Sequence, residues 1–242
     1  MRILPVMDLM AGIVVHGISG KRQEYRPIES RLKSSCDPLE VAKAFRDHFG
    51  FAELYLADLD ALGGKKPDLA VYAALKSMGY GLWVDAGIKS AEMATPLADA
   101  GIERIVVGLE TLQGPEVLEG LYATWGAHRI AFSLDLQNGI PLGNRAAWED
   151  GDAWTIGRRA IGIGVQVMIV LDLARVGVGR GTGTEELCSK LAADCPDLEV
   201  IAGGGVRGIE DVQRLKSCGV RGVLVASALH DGKLRKEELD EL

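Results

Sequence analysis

Apolar positions alternate between two patterns along the chain. Short runs rich in β-branched residues read as strands: Ile3–Met7, Leu54–Ala57, Leu82–Val84, Ile105–Val107, Ile130–Leu134, Val165–Leu171, Leu198–Ile201 and Val223–Val225. Between them lie longer amphipathic stretches, Pro38–Phe49, Pro67–Met78, Ala91–Ala100, Pro115–Trp125, Ala153–Ile163, Thr184–Ala193 and Ile209–Ser217. Asp37-Pro38 and Gly114-Pro115 are helix-start signals, and Gly79, Gly101 and Gly219 stand where helices stop in a left-handed residue. The strands are continuous apolar runs, so both of their faces should be buried, as in a parallel sheet. Eight such units in one chain predict an α/β fold, a (β/α)8 TIM barrel forming a single domain over residues 1–242.

The two halves repeat. Asp8-Leu-Met-Ala-Gly-Ile13 returns as Asp135-Leu-Gln-Asn-Gly-Ile140, and Leu56-Ala-Asp58-Leu59 as Val170-Leu-Asp172-Leu173. Ala86-Gly-Ile-Lys89 pairs with Gly204-Gly-Val-Arg207, and Gly101–Val107 with Gly219–Val225, at one shared offset. Two half-barrels, about 1–124 and 125–242, account for this. The first and fifth strands then oppose each other, and Asp8 faces Asp135 across the barrel mouth.

Composition narrows the function classes. With 242 residues, 25% charged and a net charge of −7, the chain lacks the basic excess of a general nucleic-acid binder, although a local patch can still take an anion. The four cysteines, Cys36, Cys188, Cys195 and Cys218, form no C-x-x-C pair and sit with no histidine cluster, so they read as reduced thiols and no metal site is expected. The start of the chain runs straight into a strand, and no apolar run approaches the roughly 20 residues of a membrane helix. A cytoplasmic protein without nucleic-acid or membrane partners is expected, as a monomer or small homo-oligomer.

Candidate chemistry gathers where strands end. A lone Asp there usually caps its loop, but a symmetric pair, Asp8 and Asp135, fits a general acid and base on two sides of one substrate. Glycines at the ends of strands three, four and seven (Gly87, Gly108, Gly203, Gly204, Gly205), with Ser227 after strand eight, suit backbone recognition of phosphate, one site per half. The loop after strand one carries Lys21, Arg22, Arg26, Arg31 and Lys33 against Glu24 and Glu29. It reads either as a lid over an anionic substrate or as a solvated loop with a few ion pairs. Trp148 could stack on a heterocycle or merely anchor its loop, and Trp154 is expected on the inner face of the following helix. Of the histidines, His16 alone is expected on the active face, and none is a convincing metal ligand.

Together, Pro5-Val-Met-Asp8, Gly12-Ile-Val-Val15, Leu56-Ala-Asp58-Leu59-Asp60-Ala61, Ser133-Leu-Asp135 with Gly139, Ala202-Gly-Gly-Gly-Val206 and Ala228-Leu-His-Asp-Gly-Lys233 resemble the HisA/HisF family of histidine biosynthesis over essentially the whole chain. The resemblance is closer to HisA. It implies a cofactor-free Amadori rearrangement of a bis-phosphorylated aminoimidazole carboxamide ribotide, from aminoaldose to aminoketose. Asp8 would be the base at C2, Asp135 the acid for ring opening, and Gly87, Gly108, Gly203, Gly204, Gly205 and Ser227 the lining of two phosphate sites.

The sequence also departs from that pattern. Leu171 and Val176 replace a Thr and an Asp usual after strand six, leaving Asp172 and Arg175 as possible substrate contacts alongside His16, Arg22 and Trp148. Asp85-Ala-Gly87 replaces three glycines, Leu109 replaces a Thr, and the first loop resembles that of HisA/HisF-related paralogs in methanogens and methylotrophs. Two further readings therefore stay open. One is a paralog acting on another phosphorylated sugar or amine, as in coenzyme biosynthesis of the methanopterin or methanofuran type. The other is a sugar-phosphate binder without catalysis.

Overall fold

The computed structural model describes residues 1–242. Eight parallel strands close into a barrel: β1 (Arg2–Met10), β2 (Glu53–Asp58), β3 (Gly81–Asp85), β4 (Arg104–Gly108), β5 (Ile130–Gln137), β6 (Val167–Asp172), β7 (Glu199–Gly203) and β8 (Gly222–Val225). Each strand pairs with its neighbour in sequence, and β8 returns to β1 through Arg2–Gly222 to Pro5–Val225. Helices α1 (Pro38–Phe49), α2 (Leu69–Ser77), α3 (Ala91–Asp99), α4 (Pro115–Trp125), α5 (Ala153–Ile163), α6 (Glu185–Asp194) and α7 (Ile209–Ser217) connect them. The TIM barrel expected from the apolar pattern is thus the fold, and α1, α4, α5 and α7 span the residues that the pattern predicts.

The local signals act as physical chemistry requires. Asp37 accepts from the amides of Leu39 and Glu40 at 2.9 and 3.0 Å, Pro38 occupies the first helical turn, and Gly50 ends α1 at φ 76°. Two cores follow from the two faces of each strand. A large one lies between strands and helices and includes Phe45, Tyr72, Phe132 and Leu191. A smaller one fills the barrel with Leu4, Tyr55, Trp83, Val106, Ala131, Ile169, Ile201 and Leu224. No helix is long and apolar enough to cross a membrane.

β1 and β5 run past the ends expected of them because each continues into a hairpin. Asp8 pairs with Val15 in a short strand Ile13–His16, and Leu136 pairs with Pro141 in Ile140–Pro141. Both turns hold two left-handed residues, Ala11-Gly12 and Asn138-Gly139, the signature of a type I′ turn. Asp8 and Asp135 therefore sit within strands, not after them, and take the inward parity of Leu4 and Val6 and of Ala131 and Ser133.

Candidate active site

A cavity of about 470 Å³ opens at the C-terminal ends of the strands, where barrels of this kind place their sites. Five carboxylates line it: Asp8 from β1, Asp85 from β3, Asp135 from β5, Glu110 just beyond β4, and Asp231 beyond β8. Tyr55 of β2 stands in the field of Asp8, Asp85, Asp135 and Glu110, which together with burial raises its hydroxyl well above the ordinary value. No group of three or more acidic, histidine or cysteine side chains is arranged to hold a metal ion.

Burial dominates the behaviour of the three aspartates on β1, β3 and β5. It pushes Asp8 up to about 7, against the opposing pull of the Arg22 charge and of the nearby Gly17 backbone amide. Asp85 is likewise raised to about 7, with Glu110 adding to the effect and the Gly87 N–H, 3.1 Å from Oδ1, countering it. Asp135 lies well above the ordinary carboxylate range through burial and the charges of Glu110 and Asp85. It accepts from the Ser133 hydroxyl at 2.5 Å and from the Glu110 N–H at 3.3 Å. Asp8 and Asp135 project from strands on opposite sides of the barrel. A substrate between them meets one carboxyl group on each flank, and burial raises the proton affinity of both.

At the β7 and β8 end the lining changes to backbone. Gly204 and Gly205 turn through φ 87° and 82°, a region that disfavours side chains, and line the cavity with Val206, Ala226, Ser227 and Ala228. A Cβ at Gly205 would stand 2.6 Å from the Gly181 carbonyl oxygen, so the close approach itself demands glycine. Arg207 and Lys233 lie alongside, held by Asp211 at 2.6 Å and Asp231 at 3.1 Å. Gly203 lies beneath this cradle, packed on Leu171 and Leu224, and does not face the cavity.

Gly87 and Gly108, expected to form the matching cradle of the first half, do not line the cavity either. Gly87 is tucked against the one-turn helix Leu59–Leu62, where an added Cβ would come within 3.0 Å of the Leu62 Cα. Gly108 lies under two acids, its missing Cβ 2.7 Å from Asp135 Oδ2 and 3.8 Å from Asp85 Oδ2.

The first loop crosses the mouth. Ser19 N–H donates to the Val176 carbonyl at 2.9 Å, Arg22 reaches Glu110 at 3.3 Å, and Arg31 N–H donates to the His230 carbonyl at 2.9 Å. Lys21 and Lys33 pair with Glu24 and Glu40, as a solvated loop would have them, whereas Arg22, His16 and Tyr25 line the cavity.

Three proposed substrate contacts lie elsewhere. Trp148 is fully buried, stacked on Phe132 with ring centroids 6.0 Å apart, because its one-turn helix Arg145–Trp148 folds the indole into the core. Both carboxylate oxygens of Asp172 are occupied by backbone, accepting from the N–H groups of Asn138, Gly139 and Ala174 at 2.9–3.0 Å. It ties the β5 hairpin to β6, as Asp60 ties the first hairpin through Ala11 at 2.9 Å. Arg175 points away from the cavity toward the Arg180 carbonyl and makes no ion pair with Asp172. Trp154 is on the outer side of α5, exposed, with its indole N–H on Asp194 at 3.0 Å. Sequence reading passed over Asp85, Glu110, Tyr55 and Tyr25. It also passed over His230, which lines the cavity, bonds the Ser30 hydroxyl at 2.9 Å and is driven down to about 4 by burial.

A family model described as histidine biosynthesis protein matches residues 2–235. An uncharacterized protein of Methanocaldococcus jannaschii is 33% identical over 99% of this chain and 97% of its own length. A protein of Methanosarcina mazei named 1-(5-phosphoribosyl)-5-((5-phosphoribosylamino)methylideneamino)imidazole-4-carboxamide isomerase is 30% identical, covering 98% and 95%. An isomerase of the same name from Streptococcus sanguinis is 26% identical over the full chain and 98% of its length. With the closed barrel, the paired carboxylates and a match along nearly its whole length, the chain belongs to the histidine biosynthesis (HisA/HisF) protein family.

Proposed function

We propose that this protein is an isomerase that converts a phosphorylated aminoaldose to the corresponding aminoketose by acid–base catalysis between Asp8 and Asp135. The observation that carries the reading is the placement of two buried, proton-holding carboxyls on opposite sides of one cavity whose far end is a glycine-lined cradle. Asp135, whose burial raises its proton affinity, gives its proton to the ring oxygen as the C1–O bond breaks and the amine lone pair forms the C1=N bond. Asp8, in its ionised form, removes the C2 proton, and the electron pair passes through C2=C1 to the nitrogen to give an enaminol. Return of a proton to C1 and loss of the C2 hydroxyl proton leave the ketose, so neither redox agent nor co-substrate enters. The phosphate is held by the backbone at Gly204–Val206 and Ala226–Ala228.

The bis-phosphorylated histidine intermediate is the finer reading suggested by the names of the relatives. A paralogous activity on a different phosphorylated amine is the second reading, and one observation favours it: only one end of the cavity is a glycine cradle. Turnover of the histidine intermediate by purified protein separates the two. Asp8→Asn and Asp135→Asn should each lower turnover of whichever substrate is used by about 10²–10⁴-fold. A protein that only binds sugar phosphates would be indifferent to both substitutions.

A further inference from the structure

Building on the isomerase reading, we propose that Tyr25 is a positioning residue for Asp8: its ring, together with Val176, roofs the carboxyl group on the loop side, so that Asp8 meets the contents of the cavity and not bulk water. The first observation is how firmly Tyr25 is set. Arg26–Pro27 pairs antiparallel with Val15–His16, and the Ile28 N–H donates to the Val14 carbonyl at 3.0 Å. The β1 hairpin thereby gains a third strand, and Tyr25 stands at its head. On the other side, the Tyr25 N–H donates to the Arg22 carbonyl at 3.2 Å, and Arg22 itself reaches Glu110 across the mouth at 3.3 Å. The first loop thus holds this one aromatic from both directions.

The second observation is Gly17. Its backbone is not left-handed, so conformation does not demand glycine there. Space does. A Cβ on Gly17 would stand 2.5 Å from Asp8 Oδ2, 3.1 Å from Val176 Cγ1 and 3.6 Å from Tyr25 Cζ. The carboxyl group, the valine methyl and the oxygen-bearing carbon of the phenol converge on one bare patch of backbone. Third, Tyr25 lines the cavity and packs on the apolar cluster that fills the barrel, as Ile13 and Leu171 do. A carboxyl group covered in this way is poorly solvated, which disfavours its ionised form; opening the cover admits water and favours it.

The test is carboxyl-detected NMR titration of the full chain without ligand, with Asp8→Asn to assign the Asp8 signal and Asp85 as internal reference. Tyr25→Ala should lower the Asp8 transition by about one pH unit or more and leave that of Asp85 in place. Tyr25→Phe keeps the ring and should titrate as the wild type does. Val176→Ala opens the other half of the roof and should move Asp8 the same way by less, which keeps the question decidable should Tyr25→Ala not fold. None of these substitutions alters the charged and titratable groups around Asp8: His16 and Arg22 beside it, Tyr55 on β2, and Asp85, Glu110 and Asp135 across the cavity. Those that follow the adjoining β8, namely His230, Asp231 and Lys233, are likewise untouched. An Asp8 transition unmoved by Tyr25→Ala, an equal shift of Asp85, or a shift as large in Tyr25→Phe would overturn the inference. Failure of the isomerase reading looks different: turnover indifferent to Asp8→Asn and Asp135→Asn, while the Asp8 transition still responds to Tyr25→Ala.

Discussion

The two ends of the barrel treat their charged side chains in opposite ways. At the N-terminal end, Arg2 lies between Glu199 at 2.7 Å and Glu53 at 3.4 Å, and its guanidinium stands 5.4 Å from the centre of the Trp83 ring. Arg104 covers the same ring, and the Trp83 indole N–H donates to Glu53 at 3.1 Å. Signs alternate there: Arg2 pairs with both glutamates, and Arg104 donates to the Ala127 carbonyl at 2.9 Å. At the C-terminal mouth, Asp8, Asp85 and Asp135 are buried without an ion-pair partner and their proton affinity is raised, while Glu110 meets Arg22 at 3.3 Å. One end closes the barrel. The other stores unpaired acidity in a cavity, at a cost in stability that a merely structural arrangement would have no reason to bear.

The sharpest way to break this contrast is to neutralise one acid of the mouth, where Asp8→Asn or Asp135→Asn should abolish most turnover while the fold stays intact. Next in size, Trp148→Ala should cost about 3–5 kcal/mol of stability, as large aromatic deletions from a core do, with KM little changed. A raised KM without destabilisation would restore Trp148 to the site. Gly205→Ala forces a side chain into a left-handed turn against a carbonyl, so inorganic phosphate binding should fall about tenfold or more by calorimetry.

A smaller effect appears in stability against pH. Because folding raises Asp8 and Asp85 from the ordinary value near 3.8 to about 7, the folded state binds more protons between those values. Stability contributed by the two groups is present at pH 4 and is lost as pH rises through 7. Asp8→Asn should therefore flatten the profile and raise the melting temperature at pH 8 by about 3 °C or more. At the N-terminal end, Glu53→Gln should change stability by about 1 kcal/mol or less, since its ion pair is partly exposed, and leave activity alone.

The fold was readable because eight buried parallel strands leave continuous apolar runs and their helices carry ordinary caps. Asp8 and Asp135 stood out because the sequence repeat doubled a signal that a lone Asp does not give. Asp172 shared the same kind of repeat and proved to be a backbone tie, since the amides it meets belong to a hairpin invisible in the apolar pattern. Trp148 misled for a related reason: an aromatic in a loop carries no sign of which way its turn will throw it. Asp85 appeared in the sequence only as a missing glycine, and Glu110 and Tyr55 only as a loop acid and a strand aromatic. Their convergence depends on barrel closure, which brings β2, β3 and β4 to one mouth.

The central claim is that Asp8, Asp85 and Asp135 keep their protons to higher pH than ordinary carboxyl groups. Carboxyl-detected NMR titration of the wild-type protein and of Asp8→Asn reads this directly. The account predicts an aspartate transition near pH 7 that disappears in Asp8→Asn, a second near 7 from Asp85, and an Asp135 signal titrating above the ordinary carboxylate range. Titration of all three near pH 4 would contradict it, leaving the mouth an ordinary solvated surface and the two aspartates without the proton affinity that the chemistry needs.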